Sequence, residues 1–193
     1  MSVYDQCPVL ENNRFRLRLI KREDVDDLLK VYSDKNALPF FNSDNCNGDN
    51  FYYPNKERMA KAVDFWLDAY KCRGFVRFSI VDKQDGGKVI GTIELFGGKS
   101  AAALDDFGVL RLDVRSDYEK KELLTGILSV VAEPACELFF CRALLTKAPV
   151  YAVERLAALK DLGFTPRVKP LRRPPRRFYD YWQLQSEKWE TMQ

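Results

Sequence analysis

The string FVRFSIVDKQDGGKVIGTIELF, residues 75–96, narrows the choice of folds more than any other part of the chain. Two runs rich in β-branched and aromatic residues, Phe75–Val81 and Val89–Phe96, flank DKQDGGK. Asp-Gly-Gly is a strong hairpin signal, because glycine reaches the positive φ values of a tight turn without steric strain. A further strand pattern, FGVLRLDVR, follows at 107–115. A sheet is therefore established in mid-chain, and the flanking segments must pack on it.

Those segments read as alternating helices and strands. RFRLRLI (14–20) alternates Phe15, Leu17 and Leu19 with arginines, the pattern of a half-buried strand with a basic outer face. KREDVDDLLKVYSD places Val25, Leu28, Leu29 and Tyr32 at helical spacing, with acids in the first turn where the helix dipole favours them. NSDNCNGDNFYYPN (42–55) is a polar loop, and the spacing of Met59, Val63, Trp66, Leu67 and Tyr70 predicts a helix over Lys56–Lys71. A long apolar helix is predicted from about Tyr118 to Phe140, which Pro134 should kink or split. ALLTK reads as a short strand, YAVERLAALKDLGF as a helix closed by Gly163 with Phe164 as its apolar partner, and RFYDYWQLQ as a last strand. The order β-α-α-β-β-β-α-β-α-β gives one α/β domain over residues 1–193, without internal repeats, around a mixed sheet.

Composition bounds the chemistry. With 46% hydrophobic residues the chain can build a sizeable core, and no apolar run approaches the ~20 residues of a membrane span. MSVYDQCPVLENN has neither a basic start nor an apolar run, so no secretory signal is expected. The five cysteines are scattered, with no C-x-x-C pair, which argues against a disulfide framework or a zinc site and suits a reducing cytoplasm. There is no histidine. That excludes Ser-His-Asp and Cys-His catalysis and removes the commonest transition-metal ligand.

The remaining candidates for chemistry are few. Glu94 on GTIELF is a candidate general base if it faces a cleft, and a salt-bridged strand carboxylate otherwise. Asp113 is an alternative base; it shares a strand face with Arg111, with which it could pair. GGKS (97–100) fails as a phosphate loop because the pattern requires glycine where Ile93 stands. PRVKPLRRPPRR (166–177) carries six positive charges and no acid in a chain of net charge +3, so the basicity is local. It reads as a proline-stiffened loop or as a site for an acidic ligand; too few aromatics are interleaved to favour nucleic acid. Phe40, Phe41, Phe51, Tyr52 and Tyr53 could line a pocket or anchor the loop by packing. VRSDYEKKELLTG (114–126) reads locally as a helix start, with Ser116 as N-cap and Glu119 closing a capping box.

RFRLRLIKREDVDDLLKVY, VIGTIELF and ERLAALKDLGF, in that order, resemble the GNAT superfamily of acyl-CoA-dependent N-acetyltransferases, nearest its ribosomal-protein-alanine branch. The resemblance spans nearly the whole chain and implies the GNAT fold, an α/β architecture with a mixed sheet of six to seven strands and about four helices. It implies acetyl-CoA as co-substrate and an amine acceptor, either a small molecule or a peptide N-terminus. A homodimer is compatible with it, and no membrane partner is implied. In the family a central strand enters a turn of the type V-x-P-x-Y-R-G-x-G, whose amides hold the cofactor pyrophosphate. Val114 and Tyr118 match that pattern; Ser116 stands for Pro, Glu119 for Arg, and Lys120 and Glu122 for the two glycines. The implied cofactor-binding positions are Leu112, Val114, Arg115, Tyr118, Lys120 and Lys121, with Glu94 or Asp113 deprotonating the amine. A frequent cofactor-contacting Asn falls at Ala152 and a frequent Tyr proton donor at Leu159.

Overall fold

The computed structural model describes residues 2–43, 46, 48–97, 106–167 and 180–188. The hairpin anticipated from DKQDGGK is present. It consists of β3 (Val76–Asp82) and β4 (Lys88–Gly97), antiparallel, joined through Gly86 (φ 62°) and Gly87 (φ 74°). On one side lie β2 (Phe15–Leu19) and the two-residue β1 (Leu10–Glu11). On the other lies β5 (Phe107–Val114), antiparallel to β4, and then β6 (Ala143–Lys147), parallel to β5. The sheet is completed by β7 (Thr165–Pro166) and β8 (Tyr181–Gln185), in the order β1-β2-β3-β4-β5-β6-β8-β7. Among the described residues eight strands exceed the expected six to seven, because β1 and β7 are only two residues long and carry no periodic pattern.

The helices are α1 (Val25–Tyr32), α2 (Lys56–Lys71), α3 (Lys121–Ser129), α4 (Ala132–Phe139) and α5 (Val153–Asp161). The long helix of the sequence pattern is divided into α3 and α4, which makes five among the described residues rather than about four. Pro134 cannot donate to the carbonyl four residues back and falls in the first turn of α4, where a missing N–H is harmless. The α2 bounds match the sequence pattern, and Asn55 caps the helix through its side-chain oxygen on the Arg58 N–H. After α5, Gly163 at φ 81° ends the helix as expected, with Phe164 N–H donating to Leu159 O at 2.9 Å.

The two sheet faces differ in chemistry. Val76, Phe78, Ile80, Ile93, Leu95, Leu110 and Leu112 form an apolar face buried with Leu124, Ile127 and Leu128 of α3 and with α4. The opposite face, covered by α1 and α2, presents two cross-strand rows of polar residues. One is Arg77–Glu94–Arg111 and the other Ser79–Thr92–Asp113. A smaller core of Leu28, Tyr32, Met59, Val63 and Trp66 holds α1 and α2 over them. Among the described residues no helix is long and apolar enough to cross a membrane.

At Gly91 there is no room for a side chain between β4 and β5: an added Cβ would lie 2.3 Å from Asp113 O and 2.9 Å from the Val114 Cα. Gly91→Ala is therefore expected to lower the unfolding free energy by about 1–3 kcal/mol, as overpacking does. Urea denaturation measures this, and an unchanged midpoint would show that the strands can separate freely at this point.

Candidate functional site

Arg77 is the hub of the polar face. Its side chain is 1% exposed and its guanidinium lies 4.1 Å from the Trp66 ring centroid. One terminal nitrogen donates to Glu94 Oε2. The other donates to Tyr32 OH at 3.0 Å, Thr92 Oγ1 at 3.1 Å and Asp113 Oδ2 at 3.4 Å. Arg111 donates to the second Glu94 oxygen at 2.7 Å, and Tyr32 OH donates to Asp113 Oδ2 at 2.9 Å. Arg111 thus pairs with Glu94 and not with Asp113, because the cross-strand register sets Arg111 opposite Glu94.

Such a buried network is stable only while its charges are paired. Burial pushes the Asp113 carboxyl above its ordinary value despite the opposing pull of Arg77 and the Tyr32 hydrogen bond. Burial likewise raises the Tyr32 phenol, so it stays a donor at neutral pH. Among the described residues, Asp113 Oδ1 and Arg77 Nε are buried without hydrogen-bond partners. A cavity of about 530 Å³ opens over the first polar row, with Glu94, Arg77, Arg111, Phe51, Tyr53 and Trp66 among its walls. Glu94 therefore faces a cavity, whereas Asp113 lies behind it, against Tyr32.

A second feature lies at the far end of β5. The parallel pairing of β5 with β6 runs from Phe107↔Ala143 to Leu110↔Thr146 and stops there, so Leu112 and Val114 lie beyond it. The carbonyl of Leu112 meets Arg155 of α5, which is 3% exposed, at 3.0 Å. Arg155 also donates to Phe40 O at 3.0 Å and forms an ion pair with Glu119.

The turn between β5 and α3 is not the capping box read from the sequence. Ser116–Tyr118 is a single 3-10 turn, α3 begins at Lys121, and the Lys120 side chain makes no cap. Glu119 is drawn to Arg155 instead, and a carboxylate from another helix does the capping: Lys121 N–H donates to Glu154 Oε2 at 2.8 Å. Several other amides of the turn also have internal acceptors. Ser116 N–H goes to Asp34 Oδ2 at 2.9 Å, Glu119 N–H to Ser116 O at 3.1 Å and Lys120 N–H to Tyr118 O at 2.8 Å. Lys120 has φ −124°, a conformation open to any residue, so no glycine is required there.

The remaining sequence candidates are placed as follows. Arg115 pairs with Asp117 at 2.6 Å and lies over the Tyr118 ring. Tyr118 is buried and donates to Asp82 at 3.0 Å; burial and that carboxylate push its phenol up to about 12. Lys121 Nζ reaches Asp161 at 2.8 Å. Ala152 and Leu159, at the family's Asn and Tyr positions, are buried. Phe51 and Tyr53 line the larger cavity while also packing on Tyr32, and Phe40 and Phe41 line a smaller one of about 360 Å³. Tyr52 is half-buried. From the basic segment, Arg167 donates to Gln183 at 2.7 Å, and residues 168–177 lie outside the described residues, as do residues 98–100 of GGKS.

Arg77, Tyr32, Trp66 and Arg155 were not singled out from the sequence as site residues. Arg155 carried a signal: with Ala152, Ala158 and Leu159 it occupies the buried stripe of α5, where a solvated arginine has no place. Arg77 lies between Val76 and Phe78 in a strand buried throughout.

Arg77→Met is expected to lower stability by about 3–5 kcal/mol near neutral pH by leaving Asp113 buried without its cation and Glu94 with Arg111 alone. A carboxyl with a raised folded value contributes most in acid and loses that contribution as pH rises through it. The deficit should therefore narrow from about pH 7 to about pH 4, which urea titrations at both values measure.

No protein-family model and no curated protein matches the sequence. Solved structures do match the fold. A ribosomal-protein-S5-alanine acetyltransferase from Vibrio fischeri superposes with TM-score 0.68 at 15% identity, over 94% of this chain and 98% of that one. The ribosomal L7/L12 alpha-N-protein acetyltransferase RimL, in complex with coenzyme A, gives 0.70 at 11%, over 93% and 99%. A spermidine N-acetyltransferase from Vibrio cholerae, in complex with CoA and spermine, gives 0.66 at 11%, over 93% and 99%. The chain has the GNAT fold expected from its sequence, and at these identities the likeness is one of fold.

Proposed function

We propose that this protein transfers an acetyl group from acetyl-CoA to a primary amine. The observation that carries the reading is the end of β5–β6 pairing at Leu110↔Thr146, beside the N-terminus of α3. Because β6 ends at Lys147 while β5 runs on to Val114, the last backbone groups of β5 have no ladder partner on that side, and a helix N-terminus beside them suits phosphate. Leu112 presents its carbonyl to this opening, so its N–H and that of Val114 point the same way along the pleat. In that role they hold the cofactor's arm and polarise the thioester carbonyl. The three solved structures named for acetyltransferases share this fold, and two of them contain CoA.

The chemistry balances without histidine. The amine nitrogen attacks the thioester carbon, the carbon–sulfur bond breaks, and CoA leaves as thiolate. Glu94, the carboxylate on the cavity wall, takes a proton from the amine, and Asp113 stands behind it in the same network. Arg115, Tyr118, Lys120 and Lys121 supply the turn at the pyrophosphate end. Arg155 must leave Leu112 O for the arm to enter; turned outward, its guanidinium can exchange Glu119 for a phosphate. We infer a cytoplasmic site of action from the free, scattered cysteines.

A second reading rests on the same residues. With Arg155 in the opening and Glu154 on the α3 amide, the protein is a GNAT-fold binding protein that has closed its cofactor groove. Calorimetric titration with CoA and acetyl-CoA separates the two. Saturable binding with acetylation of an amine supports transfer, and no binding at millimolar CoA overturns it in favour of the second reading. Glu119→Gln removes the competing carboxylate and is expected to tighten CoA binding about tenfold, roughly 1.4 kcal/mol.

A further inference from the structure

The larger cavity combines aromatic rings with charges that are already matched. Six aromatic side chains, Phe51, Tyr53, Phe65, Trp66, Phe75 and Phe96, stand among its described lining residues. Phe65 is 64% exposed and its ring centroid lies 6.3 Å from that of Phe75. It leaves apolar surface in water that the ring of a ligand can cover. The volume of about 530 Å³ lies within the range of small-molecule sites.

Each charged group among the described lining residues has a counter-ion. Arg58 pairs with Asp49 at 3.4 Å and Lys61 with Glu57 at 2.6 Å. Arg77 holds one oxygen of Glu94 and reaches Asp113 at 3.4 Å, and Arg111 holds the other Glu94 oxygen at 2.7 Å. No acid or base of these walls is left over to pair with a charged ligand. The rings are matched as well. The Arg77 guanidinium lies 4.1 Å from the Trp66 centroid, 5.7 Å from that of Phe51 and 5.8 Å from that of Phe75. Arg111 lies 5.1 Å from the Phe96 centroid and Arg58 5.4 Å from that of Tyr53. Five of the six rings thus already face a guanidinium, and an ammonium would meet cations where it needs open π faces. A ligand anion would have to displace a carboxylate from its guanidinium, exchanging one ion pair for another. A neutral ring meets neither cost; it covers apolar surface and makes edge-to-face or offset contacts.

We propose that this cavity binds a neutral aromatic molecule. Selectivity against ions comes from the cost of burying a charge that finds no free partner. Binding follows from the cavity alone; that the ligand is also the acetyl acceptor rests on the transfer reading above. Together the two select an amine whose nitrogen is bonded directly to the ring. Its lone pair is delocalised into the ring, so the group stays uncharged near neutral pH, where aliphatic amines are ammonium ions. The uncharged nitrogen attacks the thioester carbon, the carbon–sulfur bond breaks, CoA leaves as thiolate, and the proton shed by the nitrogen passes to Glu94 on the cavity wall.

The test is calorimetry on the full chain at neutral pH, without CoA, using 4-methylaniline, benzylamine and 4-methylbenzoate. The first two are isomers of one size, the first neutral and the second a cation; the third is an anion on the same ring. The expected result is a Kd for 4-methylaniline of about 1 mM or tighter, with both ions at least about fivefold weaker. Phe65→Ser should weaken 4-methylaniline about fivefold, with an unchanged melting temperature because the side chain is largely exposed. Either ion binding within about fivefold of 4-methylaniline, or tighter, overturns the proposal, as does no binding of 4-methylaniline at about 10 mM. Unchanged affinity in Phe65→Ser overturns the placement of the ligand in this cavity. CoA titrations are read separately. CoA binding without 4-methylaniline binding overturns this inference alone, and 4-methylaniline binding without CoA binding overturns the transfer reading alone. Where both bind, acetylation of benzylamine in preference to 4-methylaniline overturns the assignment of the ligand as acceptor.

Discussion

The buried guanidinium of Arg77 is the interaction on which the arrangement of the sheet and its two covering helices depends. It touches three strands and a helix: β3 through its own backbone, Thr92 and Glu94 on β4, Asp113 on β5 and Tyr32 on α1. Trp66 on α2 covers its face. A charge this deep is costly unless nearly every donor is used, and that requirement fixes the register of β3, β4 and β5 and the docking of α1 against them. A one-residue slip would turn Glu94 and Thr92 into the apolar face and strand Arg77 among leucines and isoleucines. The same network places Glu94 on the wall of a cavity, so the constraint that orders the fold also forms one side of the candidate site.

The other side is governed by a competition for the end of β5. Where β5 runs on past the end of β6, its outermost backbone groups need partners. Here the protein supplies them from α5: Arg155 to the Leu112 carbonyl, Glu154 to the first amide of α3. Glu119 then balances Arg155. Arg155 is bound both by an ion pair and by two carbonyls, so its removal from the opening is a discrete event and not a gradual one. Ligand affinity at this end is consequently set by what a ligand offers in exchange.

The sequence carried the elements better than their partners. The α2 helix, the 82–88 turn and the Gly163 terminus were legible because apolar spacing, glycine φ and helix-end chemistry act locally. Glu94 was legible as a candidate because a carboxylate in a strand of Ile, Thr and Leu is conspicuous. Its two arginine partners were not, since cross-strand pairing depends on register, which no local pattern specifies. The turn at 115–121 shows the limit most clearly. Ser116 and Glu119 have capping-box spacing, yet Glu119 is taken by Arg155, thirty-six residues away, and the helix is capped by Glu154, thirty-three residues from its amide. Long-range electrostatics overrode a local motif worth about 1 kcal/mol.

The central claim is that the opening at the end of β5 admits the cofactor by displacing Arg155. Amide hydrogen exchange with and without saturating acetyl-CoA tests it most directly, because it reads each backbone group in place. The account predicts slower exchange at Leu112, Val114 and residues 116–120, together with faster exchange at Lys121 as Glu154 lets go of its amide. Unchanged exchange throughout residues 112–122 in the presence of acetyl-CoA would contradict it.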